Sequence, residues 1–203
     1  MDNMLMPGGL AKMANNMKNG TKDRKGMKEE IVLPEGVTAL LTGSVLTLKG
    51  PKGETTRKIA GQNVVVAIEG NRISVSSANS SKKEKKIIGS LRAHIANMVK
   101  GTTEAHVYKL KVCFTHFPIT VTVIGNQLFV KNLLGEKTPR KLTLPNAVSV
   151  KVEGSEVIVN SANKDAAGQT AAAIEQITKR ANFDRRVFGD GIYITLKDGK
   201  EIK

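Results

Sequence analysis

Three histidines and one cysteine are the side chains in this 203-residue sequence best suited to acid–base, nucleophilic or metal chemistry. They do not form a set. His94, His106 and His116 fall in different predicted elements, and Cys113 has no second thiol with which to bridge or share a metal. A histidine without such partners is more often a hydrogen-bonded structural residue than a base. No Gly-x-Ser-x-Gly elbow, Walker loop or dinucleotide fingerprint occurs. Lys49-Gly50-Pro51-Lys52-Gly53 is rich in glycine and lysine, but it joins two strands with no helix after it, which excludes a nucleotide-phosphate cradle. A nuclease or other phosphate-processing enzyme would need clustered carboxylates or a histidine pair, and none is evident. The expectation is a protein with no catalytic activity, cofactor, metal or small-molecule substrate.

Positive charge is the stronger signal. Thirty-two Lys and Arg against 18 Asp and Glu give a net charge of +14 and a pI near 9.9, which points to a polyanionic partner and above all to nucleic acid. The charge is clustered. Lys82, Lys83, Lys85 and Lys86 open a predicted helix with only Glu84 among them, against the helix dipole, so they read either as a site for an external anion or as a solvated face. Lys131, Lys137, Arg140 and Lys141 lie on a connection between strands, where lysines protect sheet edges or contact RNA. The third cluster combines Lys179, Arg180, Arg185 and Arg186 with Phe183, Phe188 and Tyr193, and with Gly189 and Gly191 on either side of Asp190. Arginine pairs bidentately with phosphate, and glycine lets a backbone amide approach a sugar-phosphate chain. The bland alternative is a C-terminal strand or turn whose Phe188 and Ile192 pack on the preceding domain.

These clusters must be positioned by elements that the sequence displays twice. Ser161-Ala162-Asn163 repeats Ser77-Ala78-Asn79, and Gly154 repeats Gly70, both at an offset of 84. Such a duplication implies two tandem units. Four turns, Gly43-Ser44, Gly70-Asn71, Gly125-Asn126 and Gly154-Ser155, share one design, with glycine supplying the positive φ of a two-residue hairpin. Positions −6, −4, −2, +3 and +5 from each glycine should then share one face. At the last turn these are Val148, Val150, Val152, Val157 and Val159, and the corresponding residues at the other three turns are all apolar. Cross-strand pairs such as Val152 with Val157 follow.

After the second hairpin of each unit the period becomes helical. Ser81 to Glu84 has capping-box spacing, and Ile87, Ile88, Leu91, Ile95, Met98 and Val99 make a stripe that stops at Gly101. In the second unit Asn163 is the expected N-cap, and Ala167, Ala171, Ile174, Ile177 and Ala181 mark the buried face. The predicted fold class is α+β: two tandem similar domains, each an antiparallel β-sheet with one packed α-helix. The boundaries are a basic leader over 1–27, a first unit over 28–101, a second over 102–182 and an RNA-binding tail over 183–203. The leader reads as a basic arm that orders on RNA or as a flexible segment. No apolar run is long enough to span a membrane, no secretory signal is visible, and the lone cysteine suits a reducing cytoplasm.

The sequence resembles the archaeal and eukaryotic branch of the large-subunit ribosomal protein L-six family over residues 28 to about 197. The resemblance is carried by Leu33-Pro34-Glu35-Gly36-Val37, Leu48-Lys49-Gly50-Pro51-Lys52-Gly53 and Asn97-Met98-Val99-Lys100-Gly101-Thr102-Thr103 in the first unit. His116-Phe117-Pro118-Ile119 and Asn132-Leu133-Leu134-Gly135-Glu136-Lys137 carry it in the second, and Arg186-x-Phe188-x-Asp190-Gly191-Ile192-Tyr193 is the most specific element. The resemblance implies a cytoplasmic, ribosome-bound structural protein on large-subunit rRNA beside the sarcin-ricin loop. Neighbouring ribosomal proteins near the stalk base would be its partners, and translational GTPases would dock nearby. It also implies rRNA contacts at Lys179, Arg180, Arg185, Arg186, Gly189, Gly191 and Tyr193, with Lys164 and Gln169 as further candidates beside Lys82, Lys83, Lys137, Arg140 and Lys141. The rival reading is an RNA-binding adaptor outside the ribosome that uses the same tail.

Overall fold

The computed structural model describes residues 27–59, 63–78, 81–180, 184 and 187–202. Residues 1–26 of the leader, Asn79, Ala181, Asn182, Phe183, Arg185 and Arg186 lie outside the described residues.

The first unit contains β1 (Met27–Val32), β2 (Thr38–Thr42), β3 (Val45–Gly50), β4 (Gly53–Lys58), β5 (Val64–Glu69), β6 (Arg72–Ser77) and α1 (Lys82–Thr103). The second contains β7 (His106–Cys113), β8 (Thr120–Ile124), β9 (Gln127–Lys131), a 3₁₀ turn over Leu133–Gly135, β10 (Arg140–Thr143), β11 (Ser149–Glu153), β12 (Glu156–Ser161) and α2 (Lys164–Thr178). Two further strands follow, β13 (Gly191–Lys197) and β14 (Lys200–Glu201).

All four hairpins form at the predicted turns, and their glycines take φ of +61°, +59°, +58° and +59° at Gly43, Gly70, Gly125 and Gly154. The register follows from those turns: Leu41 faces Leu46, Ile68 faces Ile73, Val123 faces Leu128 and Val152 faces Val157. Each unit divides its strands between two sheets instead of gathering them in one. The first has β1-β6-β5 and β2-β3-β4, and the second has β10-β9-β8 and β11-β12-β7-β13-β14. Both sheets of a unit pack on its helix. Leu46, Leu48, Ile73 and Val75 meet Ile88, Leu91, Ile95 and Met98 in the first core, while Leu110, Leu128, Val157 and Val159 meet Ala167, Ala171 and Ile174 in the second.

Both helices start as their sequences dictate. Ser81 Oγ accepts from Glu84 N while Glu84 Oε2 accepts from Ser81 N at 2.9 Å, a complete capping box. Asn163 caps α2 by accepting from Asp165 N and Ala166 N. The ends differ from expectation. α1 does not stop at Gly101 but runs to Thr103, and Ala105 then turns the chain at φ +65°. Gly101 is needed for contact instead: a Cβ there would overlap the Ala162 carbonyl of the second unit and lie 2.9 Å from the His106 ring. Helix α2 ends at Thr178, short of Ala181. Residues 191–197, set apart in the sequence as part of a tail, are a strand of the second unit's larger sheet, antiparallel to β7, with Ile192 fully buried in the core.

Candidate nucleic-acid interface

The sequence-predicted residues separate into those that converge and those that do not. Lys179 and Arg180 follow the last turn of α2, and Gly191 and Tyr193 belong to β13; together with Phe188 and Asp190 they line one recess. The recess is built from β13 because Ile192, pointing into the core, fixes its neighbours on the sheet. Gly191 is buried, and a Cβ there would stand 3.3 Å from Thr178 Oγ1, the hydroxyl that accepts from Ile192 N at 3.1 Å. Gly189 is half-buried in the loop before it. Asp190 anchors this loop from within: its side chain is buried, and Oδ1 accepts from Thr115 N at 2.8 Å. His116 rests on Phe188 with ring centroids 5.8 Å apart, so the His-Phe-Pro segment touches the Phe-Gly-Asp-Gly segment at this ring pair.

Arg140 joins the same region but is committed within the protein. Its Nε and a terminal nitrogen donate to Glu136 Oε2 and Oε1 at 2.8 and 2.7 Å, and its other terminal nitrogen donates to the Ile177 and Lys179 carbonyls. A bidentate pair with two helix-end carbonyls is a brace for the end of α2. The Arg140 guanidinium, with burial opposing and Arg180 3.9 Å away assisting, holds the Glu136 carboxyl below its ordinary range. Lys137 is exposed nearby, and Lys141 is exposed with its Nζ 5.8 Å above the Phe129 ring.

The remaining candidates lie elsewhere. Lys82 and Lys83 are exposed at the first turn of α1, a helix of 22 residues. At 1.5 Å per residue that puts them about 30 Å from Gly101, where the units meet. Gln169 is exposed on α2 beside Leu142 and Pro145. Lys164, first residue of α2, points its Nζ at Asp198 Oδ2 at 3.0 Å and at Asn97 Oδ1 at 3.4 Å, so it spans the seam between the units.

Sequence reading missed this seam. Asp198 sits in the β13–β14 turn and accepts from Lys164, Lys100 and His106, while Arg57 of β4 reaches Asp165 of α2 at 2.9 Å and His94 Nε2 at 3.0 Å. Burial, the largest single influence on Asp198, favours its neutral form, but the hydrogen bonds from His106, Lys164 and Lys100 outweigh it and hold the carboxyl at about 2. One signal was present: Asp198-Gly199 is a strong two-residue hairpin sequence after the alternating Ile192, Ile194 and Leu196. Both turn residues have positive φ, +48° and +84°.

A duplicated α+β framework of net charge +14, with a recess where Lys179 and Arg180 stand beside Glu175 and Asp190, no group of three His, Cys, Asp or Glu side chains placed to hold a metal among the described residues, and no described helix long and apolar enough to cross a membrane, defines a basic binding scaffold. Comparison with known proteins specifies it. The profile of the family described as Ribosomal protein L6 matches residues 33–105 and 117–191, one segment in each unit. The chain is 38% identical over 173 residues to the large ribosomal subunit protein uL6 of Saccharolobus solfataricus, covering 85% of this chain and 96% of the relative. To the uL6 proteins of Methanobrevibacter smithii and Methanococcus vannielii it is 40% and 41% identical, covering 85% and 86% of this chain and 97% and 96% of those relatives. The chain belongs to the ribosomal protein L6 family. Membership makes it a structural ribosomal protein and not an enzyme.

Proposed function

We propose that this protein is a structural constituent of the large ribosomal subunit that grips rRNA with the recess at the end of α2. The observation that carries the reading is the convergence of Lys179, Arg180, Gly191 and Tyr193 on one recess of the second unit. Cations there displace counterions from RNA phosphates, and the glycine-bordered loop admits backbone close to the sugar-phosphate chain. The family resemblance adds the place: beside the sarcin-ricin loop, near the stalk base and the docking site of translational GTPases. Lys137 and Lys141 extend the cationic surface, and Gly189, Arg185 and Arg186 belong to the same chain segment. Arg140 contributes by bracing the recess.

The test is binding of an rRNA fragment containing the sarcin-ricin loop, measured across a salt series. Replacing Arg185 and Arg186 together with alanine is expected to weaken binding and to lower the salt dependence by up to about two counterion units. An unchanged slope would remove the segment from the interface.

A further inference from the structure

His106, the first residue of β7, is fully buried, and both of its ring nitrogens face acceptors. Nδ1 lies 2.9 Å from Asp198 Oδ1, and Nε2 lies 2.9 Å from the Asn97 carbonyl oxygen. An ionised carboxylate and a backbone carbonyl can only accept, so both bonds exist together only if the ring carries two N–H groups, as the imidazolium does. His94 provides the contrast. Its Nε2 accepts from the Arg57 guanidinium at 3.0 Å, so that nitrogen carries no proton.

Asp198 is met by two further cations, Lys100 Nζ at 3.2 Å and Lys164 Nζ at 3.0 Å. The three cations belong to three elements, α1, β7 and α2, and the carboxylate comes from a fourth, the β13–β14 turn. That turn is fixed in turn by the Asp198 N–H, which donates to the Val107 carbonyl at 3.0 Å. The titratable groups facing Asp198 are His106 of β7, Lys100 of α1 and Lys164 of α2, and Tyr108 of β7 is acted on by Lys164, Asp198 and Asp165 in turn. Gly101 closes the arrangement by letting α1 approach the His106 ring and the Ala162 carbonyl.

We infer that His106, held as an imidazolium, and Asp198 form an inter-domain lock that positions the first unit relative to the second, so that cations on both units meet one RNA in a fixed geometry. The two are positioning residues. Lys100 and Lys164 strengthen the lock, and Lys164 serves it as a strut across the seam. A preset orientation removes the ordering cost that two freely hinged units would bear on binding a common ligand. Only the gain in RNA binding rests on the proposed rRNA function; the lock stands on the geometry alone.

The lock is tested on the full chain with ¹⁵N-labelled histidine. At pH 7 both ring nitrogens of His106 are expected at protonated chemical shifts, with Nε2 of His94 at the unprotonated shift as internal control. An unprotonated nitrogen in His106 overturns the charged lock. Asp198→Asn is then expected to broaden the inter-domain orientation read by residual dipolar couplings and to weaken rRNA-fragment binding about tenfold. Couplings matching the parent protein overturn the positioning role. If Asp198→Asn fails to fold, Lys100→Met keeps the His106–Asp198 pair and is expected to loosen the orientation to a smaller extent, and unchanged couplings there overturn it as well. Altered couplings with no RNA binding by the parent protein would leave the lock standing and remove the rRNA reading instead.

Discussion

β1 and β7 open the two units in the same way, yet they end in different environments. Among the described residues β1 pairs only with β6, and its residues alternate between half-buried and exposed. β7 pairs with β12 on one side and β13 on the other, and His106, Tyr108, Leu110 and Val112 along it are buried. The duplicated parts are otherwise matched: hairpin for hairpin, helix for helix. What distinguishes the second unit is an added pair of strands, β13 and β14. They extend the sheet, β13 brings Gly191 and Tyr193 to the end of α2, and the turn between the two delivers Asp198 to the seam with the first unit. A duplicated framework thus became asymmetric by strand addition, and the candidate RNA recess and the inter-domain lock are two consequences of the same segment.

The largest expected effect breaks the seam itself. Gly101→Val would push a branched side chain into the Ala162 carbonyl and the His106 ring, backbone and buried groups that have little room to give. A loss of about 3 kcal/mol or more is expected in urea denaturation, as for severe overpacking in a core. Because the clash lies between the units, both should be affected. A loss below about 1 kcal/mol would mean that the two units do not rely on this contact.

Acid should reveal the contribution of the added strands. The Asp198 carboxyl is held at about 2 in the folded chain against 3.8 ordinarily. A depressed carboxylate stabilises the fold above its unfolded value and loses that contribution as pH falls toward the folded one. The shift corresponds to about 2 kcal/mol, present at neutral pH and lost between roughly pH 4 and pH 2. Asp198→Asn should lack this component, so the difference in stability between parent and variant should shrink across that window. A difference independent of pH would show that the carboxylate charge does not hold the seam.

The sequence made the framework legible because its signals are local. A glycine turn sets the pairing of the ten or so residues around it, and period-two burial repeats within each hairpin. Helix starts were legible for the same reason, through Ser81 with Glu84 and through Asn163. Helix α1's end was not. Gly101 has the appearance of a C-terminal signal, and only the arrival of Ala162, 61 positions later (162 − 101 = 61), explains its missing side chain. The seam was invisible for a related reason: His106 and Asp198 are 92 residues apart, and Asp198-Gly199 signals a turn without signalling what the carboxylate meets. Among the basic residues, composition and spacing singled out Lys179 and Arg180, which line one recess, but they could not separate a cation facing solvent from one spent internally. Lys137 and Arg140 stand three positions apart, one exposed and the other tied to Glu136 and the end of α2.

The smallest expected effect sharpens the equivalence of the two units. Gly70 and Gly154 occupy the same turn in each copy, both at φ +59°, and a Cβ at either would meet nothing within 4 Å. Any cost of substitution is therefore conformational: valine must leave its preferred backbone region or distort the hairpin. Gly70→Val and Gly154→Val should each destabilise the chain by more than about 1 kcal/mol, and by equal amounts, although the second unit has the larger sheet. Guanidinium denaturation of the two variants supplies the comparison. Equal losses would mean that strand addition changed the second unit around β7 while leaving its duplicated hairpin untouched; a gap of more than about 1 kcal/mol would mean that β13, two strands away from β12, alters the energetics of the β11–β12 hairpin itself.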